Sequence, residues 1–191
     1  MPIELASTQT VGATLGDEIK QKGVKAGIVG FSLVLLFMLF WYRLPGLMAG
    51  IALVIYLGSM LAIFKLFGVV ITAAGIAGFL LSVGMAVDAN VLIFERLKEE
   101  LKKDKEYSTA VLDGFRRACA PIRDGNITSL ISAVILFWLG TSIVKGFALV
   151  FGIGILMSMF TAIVVTRSFL VTLSGAAEKV PMFFGSGIRN D

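Results

Sequence analysis

Among the side chains of this sequence, Asp88 is the one best placed to do chemistry. It lies in the stretch from Val69 to Glu100, VVITAAGIAGFLLSVGMAVDANVLIFERLKEE, which up to Phe94 is apolar or small apart from Thr72, Ser82, Asp88 and Asn90. An apolar run of ~20 residues is long enough to cross a bilayer as a helix. Asp88 sits inside this one, seven residues before Glu95, a separation of ~10 Å at helical rise. No other carboxylate falls within any apolar run of the chain. An ionisable group held in hydrocarbon is costly and marks a functional site by default. The chemistry open to it is the loading and release of a proton as water reaches it from one side or the other. The structural alternative is a neutral carboxylic acid that pins helices together through hydrogen bonds.

The neighbours of Asp88 sharpen that choice. At 100° per residue, Ala74, Ala77, Leu81 and Gly84 fall within about 40° of it. This small, featureless face suits close contact with another helix. Asn90 points the other way, and Glu95 returns to the Asp88 face. On the fourth apolar run, Thr128 and Ser132 lie four apart with Ser129 beside them, at a depth comparable to that of Asp88. They could hydrogen-bond the carboxylate directly or through water, or bond back to their own helix carbonyls. The candidate site is therefore Asp88 as the proton-coupling group, supported by Thr128, Ser129, Ser132, Gly84 and Asn90. A relay exchanges partners with a second charge, and the charges that the runs offer in or beside them, Lys65, Lys145 and Arg167 among these, lie near their ends. The missing partner points to another subunit.

These residues need a membrane domain to position them. The chain of 191 residues is 57% hydrophobic and 16% charged, against about 25% charged in soluble domains. With several long apolar runs, this composition indicates an all-α, polytopic membrane protein; a membrane β-barrel would show short alternating segments. The length leaves no room for a large soluble domain. The net charge of +4 implies no nucleic acid, because most cations lie in one loop where topology accounts for them. There is no His and a single Cys, Cys119, so an internal disulfide is impossible and a His- or Cys-based metal or catalytic site is not expected. No cofactor is implied. Met1 to Thr10 has neither a basic region nor an apolar core, so it does not read as a signal peptide.

Taken in order, residues 1–22 read as a connector or short surface helix on the extracytoplasmic side. Five spans follow at about 24–42, 47–67, 69–94, 127–144 and 147–173, and 175–191 form a tail. Pro45 breaks the first pair of spans, because proline cannot continue the ladder of the helix before it. Lys65 to Gly68 and Lys145-Gly146 mark the other short breaks. The Lys/Arg bias of the loops sets orientation. One side receives eleven: Arg43, Arg96, Lys98, Lys102, Lys103, Lys105, Arg116, Arg117, Arg123, Lys179 and Arg189. The other receives five: Lys20, Lys22, Lys25, Lys65 and Lys145. The central loop 95–126 and the C-terminus are thus expected in the cytoplasm, with the N-terminus outside. Arg167, inside the last span, is expected to snorkel. Within the loop, apolar residues recur at near-helical spacing, so an amphipathic interfacial helix is expected over Ser108 to Ala120. Ser108 would cap it and Pro121 would stop it. Arg116, Arg117 and Arg123 would then face the phosphates of anionic lipid. Gly23 and Gly27, Gly46 and Gly50, and the row Gly154, Ser158, Ala162 and Thr166 sit four apart, which reads as helix packing.

At Gly84 to Leu101, GMAVDANVLIFERLKEEL, the sequence resembles the SecD family of protein-export subunits in the resistance–nodulation–division superfamily. The run D-A-N-V-L-I-F-E-R at the end of a Gly-rich helix carries the resemblance, and Thr10 to Gly16 is similar to the lead-in to that family's second membrane helix. The resemblance spans almost the whole chain, as the family's helices two to six, one half of a pseudo-symmetric bundle. The family's first helix and large extracytoplasmic domain have no counterpart in it. The resemblance implies pairing with SecF beside the SecYEG channel in the bacterial inner membrane, and use of the proton gradient to draw preproteins across. It matches Asp88 to the family's intramembrane aspartate, with opposing charges supplied by SecF. A non-conducting scaffold for the translocon or an insertase is the competing reading. An intramembrane aspartyl protease needs two carboxylates sharing a proton, and with one in the apolar runs and no His, no enzyme activity is expected. Sodium could replace the proton as the coupling ion.

Overall fold

The computed structural model describes residues 13–103 and 105–177, and nearly all of them are helical. Helix α1 runs Ala13–Tyr42, α2 Leu44–Leu66, α3 Ala73–Leu101, α4 Tyr107–Leu139 and α5 Ser142–Phe160. A π-helical stretch, Thr161–Thr166, joins α5 to α6, Arg167–Ala177. Among the described residues, five helical stretches are long and apolar enough to cross a membrane: Glu18–Tyr42, Leu44–Leu66, Ala73–Leu101, Tyr107–Leu139 and Ser142–Thr172. The chain is a multi-pass, all-α membrane protein.

The connections follow from local chemistry. α1 passes into α2 through Arg43 alone, which takes a positive φ of 51°, and Pro45 lies in the first turn of α2, where its missing N–H costs nothing. Gly46 makes this hairpin possible, since a Cβ there would lie 2.1 Å from the Met38 carbonyl oxygen. Gly68, at φ +62°, turns the chain after α2, and the Thr72 hydroxyl accepts from the Gly75 amide at 3.0 Å to cap α3. Between α4 and α5 the Gly140 amide donates to the Leu136 carbonyl at 2.9 Å.

Several boundaries depart from the sequence reading. The third helix begins at Ala73, since the chain from Phe67 to Thr72 is linker. The expected loop 95–126 is mostly helix: α3 keeps its last two turns to Leu101, and α4 is already formed at Tyr107. The interfacial helix is therefore the first half of one continuous α4. Glu106, not Ser108, precedes it, and Pro121 lies inside it. Proline forfeits one ladder bond there, but Ala110, Val111, Gly114, Phe115, Ala118 and Ile122 are buried, and that packing carries the helix through. The break between the last two spans falls at Gly140 and Thr141, leaving Lys145 and Gly146 within α5. Residues 13–22, expected as part of a connector, belong to α1. Residues 1–12 and 178–191 lie outside the described chain.

α3 sits against α5, α4, α1 and α2. The core packed around it includes Met38, Leu53, Tyr56, Met60 and Ile93, each no more than 1% exposed. α1 is bound on one side only, and Ile28, Leu33 and Leu36 stand more than half exposed, as befits a lipid-facing helix.

Candidate functional site

α3 has two faces of opposite character. Its inner face is built to touch α5. A Cβ on Gly78 would lie 2.7 Å from the Phe147 carbonyl oxygen, and one on Gly154 would lie 2.3 Å from the Ser82 Cβ. Side chains larger than these would force the helices apart. The row Gly154, Ser158, Ala162 and Thr166 is buried along this contact, so packing accounts for it. Further along, Asn90 is 3% exposed; its amide donates to the Ala86 carbonyl at 3.2 Å, and its oxygen accepts from the Thr166 hydroxyl at 2.7 Å.

The outer face carries Ala77, Leu81, Gly84 and Asp88, all exposed. Nothing lies within 4 Å of the place a Cβ on Gly84 would occupy. Asp88 makes no hydrogen bond or ion pair among the described residues. The carboxylate thus stands on an open strip of small and apolar residues, with room for a helix to pack over it.

The expected supporting hydroxyls are elsewhere. Thr128 donates to the Asp124 carbonyl at 2.9 Å and Ser132 to the Thr128 carbonyl at 3.0 Å, both exposed. Each hydroxyl bonds back to its own helix and not to Asp88. Ser129 is half-buried. Asn90 serves the core rather than the Asp88 face. Of the predicted set, only Gly84 shares the open strip with Asp88. Glu95, one step on along that strip, accepts from the Tyr42 hydroxyl at 2.7 Å, tying α3 to α1.

A buried polar seam on the inner face escaped the sequence reading. The Ser82 hydroxyl donates to the Phe79 carbonyl at 2.7 Å and meets the Tyr56 hydroxyl at 2.8 Å. Ser158 is buried and its hydroxyl has no hydrogen-bond partner among the described residues; on α4 the buried Asn126 likewise leaves its side-chain oxygen without one among them. The seam ends where the last span turns π-helical, a geometry frequent at functional sites. The Thr161 hydroxyl donates to the Met157 and Ser158 carbonyls there, at 3.0 and 3.1 Å. The spacing of Ser82 and Asn90, eight apart and so one helical face, was the available signal.

The charged end of α3 is locked to α4. Glu100, its side chain 2% exposed, takes Lys103 at 2.6 Å, Lys105 at 2.7 Å and Arg117 at 2.6 Å. Arg117 also reaches Glu99 at 3.2 Å, so it braces the hairpin instead of facing lipid. Arg123 pairs with Asp124, and Arg116 is exposed without a partner among the described residues. Lys105 lies between Asp113 and Glu100, and these carboxylates, Asp113 first, hold its ammonium above the usual lysine range. Arg167 does not simply snorkel; its guanidinium lies 5.6 Å from the Phe115 ring centre, a cation–π contact.

The family model for the protein export membrane protein SecD/SecF C-terminal region matches residues 2–176. The chain belongs to this family. Among SecD/SecF relatives, the protein translocase subunit SecD of Thermobaculum terrenum is 51% identical over 98% of this chain and 37% of its own length. The SecD of Synechocystis is 50% identical over 94% of this chain and 38% of its own. The protein translocase subunit SecDF of Bacillus subtilis is 47% identical over 91% and 24%. The chain thus spans well under half the length of these relatives. In three dimensions it is similar to the crystal structure of SecDF from Thermus thermophilus, described as a translocon-associated membrane protein. The TM-score is 0.86 at 36% identity, over 88% of this chain and 24% of that one. A second SecDF crystal structure, in a super-membrane-facing form, gives 0.81 at 36% identity. The five-span fold is therefore the fold of the matching part of SecDF.

Proposed function

We propose that this chain is the proton-coupled membrane half of a SecD-type export subunit, acting with SecF and the SecYEG channel on preproteins in the bacterial inner membrane. One observation carries the reading: Asp88, the single carboxylate in the apolar runs, stands unpaired among the described residues on an open strip of small and apolar side chains. An unpaired charge in hydrocarbon is expensive, and a second half-bundle packing over the strip would supply both cover and counter-charge. Protonation of Asp88 would then change what that half can approach, and rocking of one half against the other follows. The names of the relatives support a role in protein export. The Lys/Arg bias supports an outside N-terminus and a cytoplasmic α3–α4 hairpin, with anionic lipid facing Arg116. No chemistry is performed on a bond, so the chain is not an enzyme, and it needs no cofactor.

The test is proton movement in vesicles carrying the full-length subunit with its partners and an engaged preprotein, read by a trapped pH dye. Asp88→Asn is expected to abolish the preprotein-dependent flux. Undiminished flux would overturn the coupling role. The scaffold reading is favoured by one feature, the empty space over Gly84, which suits static docking equally well. It requires Asp88→Asn to be silent and Gly84→Leu to prevent assembly.

A further inference from the structure

The first three helices do not close on one another along their whole length. At the hairpin end α1 and α2 are tight: a Cβ on Gly46 would strike the Met38 backbone, and one on Gly50 would lie 3.2 Å from Leu35 Cδ2. Toward its N-terminal end α1 leans on α3 instead. Cβ atoms on Gly23 and Gly27 would lie 2.9 Å from the side chains of Ile76 and Leu80. Helices that meet at one end and part at the other leave a wedge. Here it is a groove of about 860 Å³ between α1 and α2, floored by α3.

The walls of the groove are apolar, with Val24, Phe31, Leu57, Leu61 and Phe64 among them, and Lys20 lines it at the α1 end. Lys20 is exposed and has no hydrogen bond or ion pair among the described residues. Its neighbour Lys22 differs, being paired with Glu18 at 2.7 Å. Lys65, which follows Phe64 at the same end of the bundle, is also exposed and unpaired. From Lys20 to Phe31 is eleven residues, ~17 Å at helical rise. That is about the depth of one leaflet of a hydrocarbon core ~30 Å thick.

We infer that this groove is a phospholipid site, with an acyl chain lying in the wedge and an anionic headgroup at Lys20 and Lys65. An apolar trough one leaflet deep, with Lys20 at its interfacial end and Lys65 next in the chain to the lining residue Phe64, complements an amphiphile that has one anionic end. The lysine stems can lie along apolar surface while their ammonium groups reach the headgroup level. A protein helix in the same trough would leave both lysines without a counter-ion unless it carried acid at that level. The bound chain would fill the gap that α1 leaves on parting from α2, so α1 would be braced by lipid where it lacks protein contact.

Native mass spectrometry of the full chain, extracted from vesicles of phosphatidylethanolamine doped with phosphatidylglycerol, tests this. Wild type is expected to retain phosphatidylglycerol in preference to phosphatidylethanolamine. Lys20→Gln and Lys65→Gln should each cut that preference by about fivefold. Leu61→Trp, which fills the trough from a position already 56% exposed, should lower retention of both lipids. An unchanged preference in the double lysine variant overturns the site, and this arm stands even if Leu61→Trp fails to fold. So does a Leu61→Cys variant that cross-links in native membranes to a protein helix and not to a photoreactive acyl chain.

Discussion

Asp88 and Asn90 are two residues apart on one helix, about 200° around its axis, and that rotation gives them opposite fates. Asn90 is held in the core by Thr166 and by the Ala86 carbonyl. Removing one partner of such a bond leaves the other unsatisfied, at a cost of about 1–3 kcal/mol in water-soluble cores and nearer 0.6 kcal/mol in membrane bundles. Thr166→Val is therefore expected to lower thermal stability in detergent, and Asn90→Val to do the same. The double variant should lose less than the sum, because no polar group is stranded. Additive losses would mean that the two side chains do not act as a pair. The opposite faces of these two residues were legible in the sequence, because 100° per residue is enough to separate them. The behaviour of Thr128 and Ser132 was not. A hydroxyl in a helix can turn to its own backbone or to a neighbour, and the choice depends on which face of α4 points inward. Asn126 and Ala133 are buried on that helix, while Thr128 and Ser132 are exposed on its outside.

Among the elements, the α3–α5 contact decides whether the bundle forms. A Cβ on Gly154 would lie 2.3 Å from the Ser82 Cβ, too close for the helices to keep their spacing, and overpacking of this kind costs about 1–3 kcal/mol or more. Gly154→Leu is expected to depress melting temperature and yield. Gly84→Leu, facing empty space, should leave both near wild type in the isolated chain. Equal damage from the two would contradict the division of α3 into packed and open faces. At the far end, Glu100→Gln removes the negative charge shared by Lys103, Lys105 and Arg117. Faster amide exchange is expected across Leu101 to Ala110, with the apolar part of α3 unaffected; unchanged exchange would show the lock to be idle. The spans were legible because five apolar runs of membrane length cannot be hidden. Their ends were not. Pro121 carries a stop signal that burial of α4 against α3 overrides, and at the end of α4 a Cβ on Gly140 would lie 2.3 Å from the Leu136 carbonyl oxygen, so the chain can turn out of the helix there only with glycine. The alternation of charged and apolar residues after Glu95 read as an interfacial helix, yet the same pattern serves a helix that packs one side on a neighbour.

At the scale of the whole molecule, the five spans make a bundle packed along the inner face of α3 and open on the Asp88 strip. The asymmetry has a physical consequence. On the proposed reading, a half-bundle whose open face carries a carboxylate unpaired among the described residues is incomplete, and a second half supplying cover and counter-charge would complete it. The chain spans 37% of the Thermobaculum SecD, so the machine is to be tested in the full-length subunit. The most direct measurement is preprotein export in vesicles of the complete complex, with a proton gradient imposed after ATP is exhausted. Wild type is compared with Asp88→Asn, and assembly and melting temperature are recorded beside export. The expected result is that export stops while assembly and melting temperature stay unchanged. Continued export at the wild-type rate, or loss of export only through loss of the complex, would contradict a coupling role for Asp88.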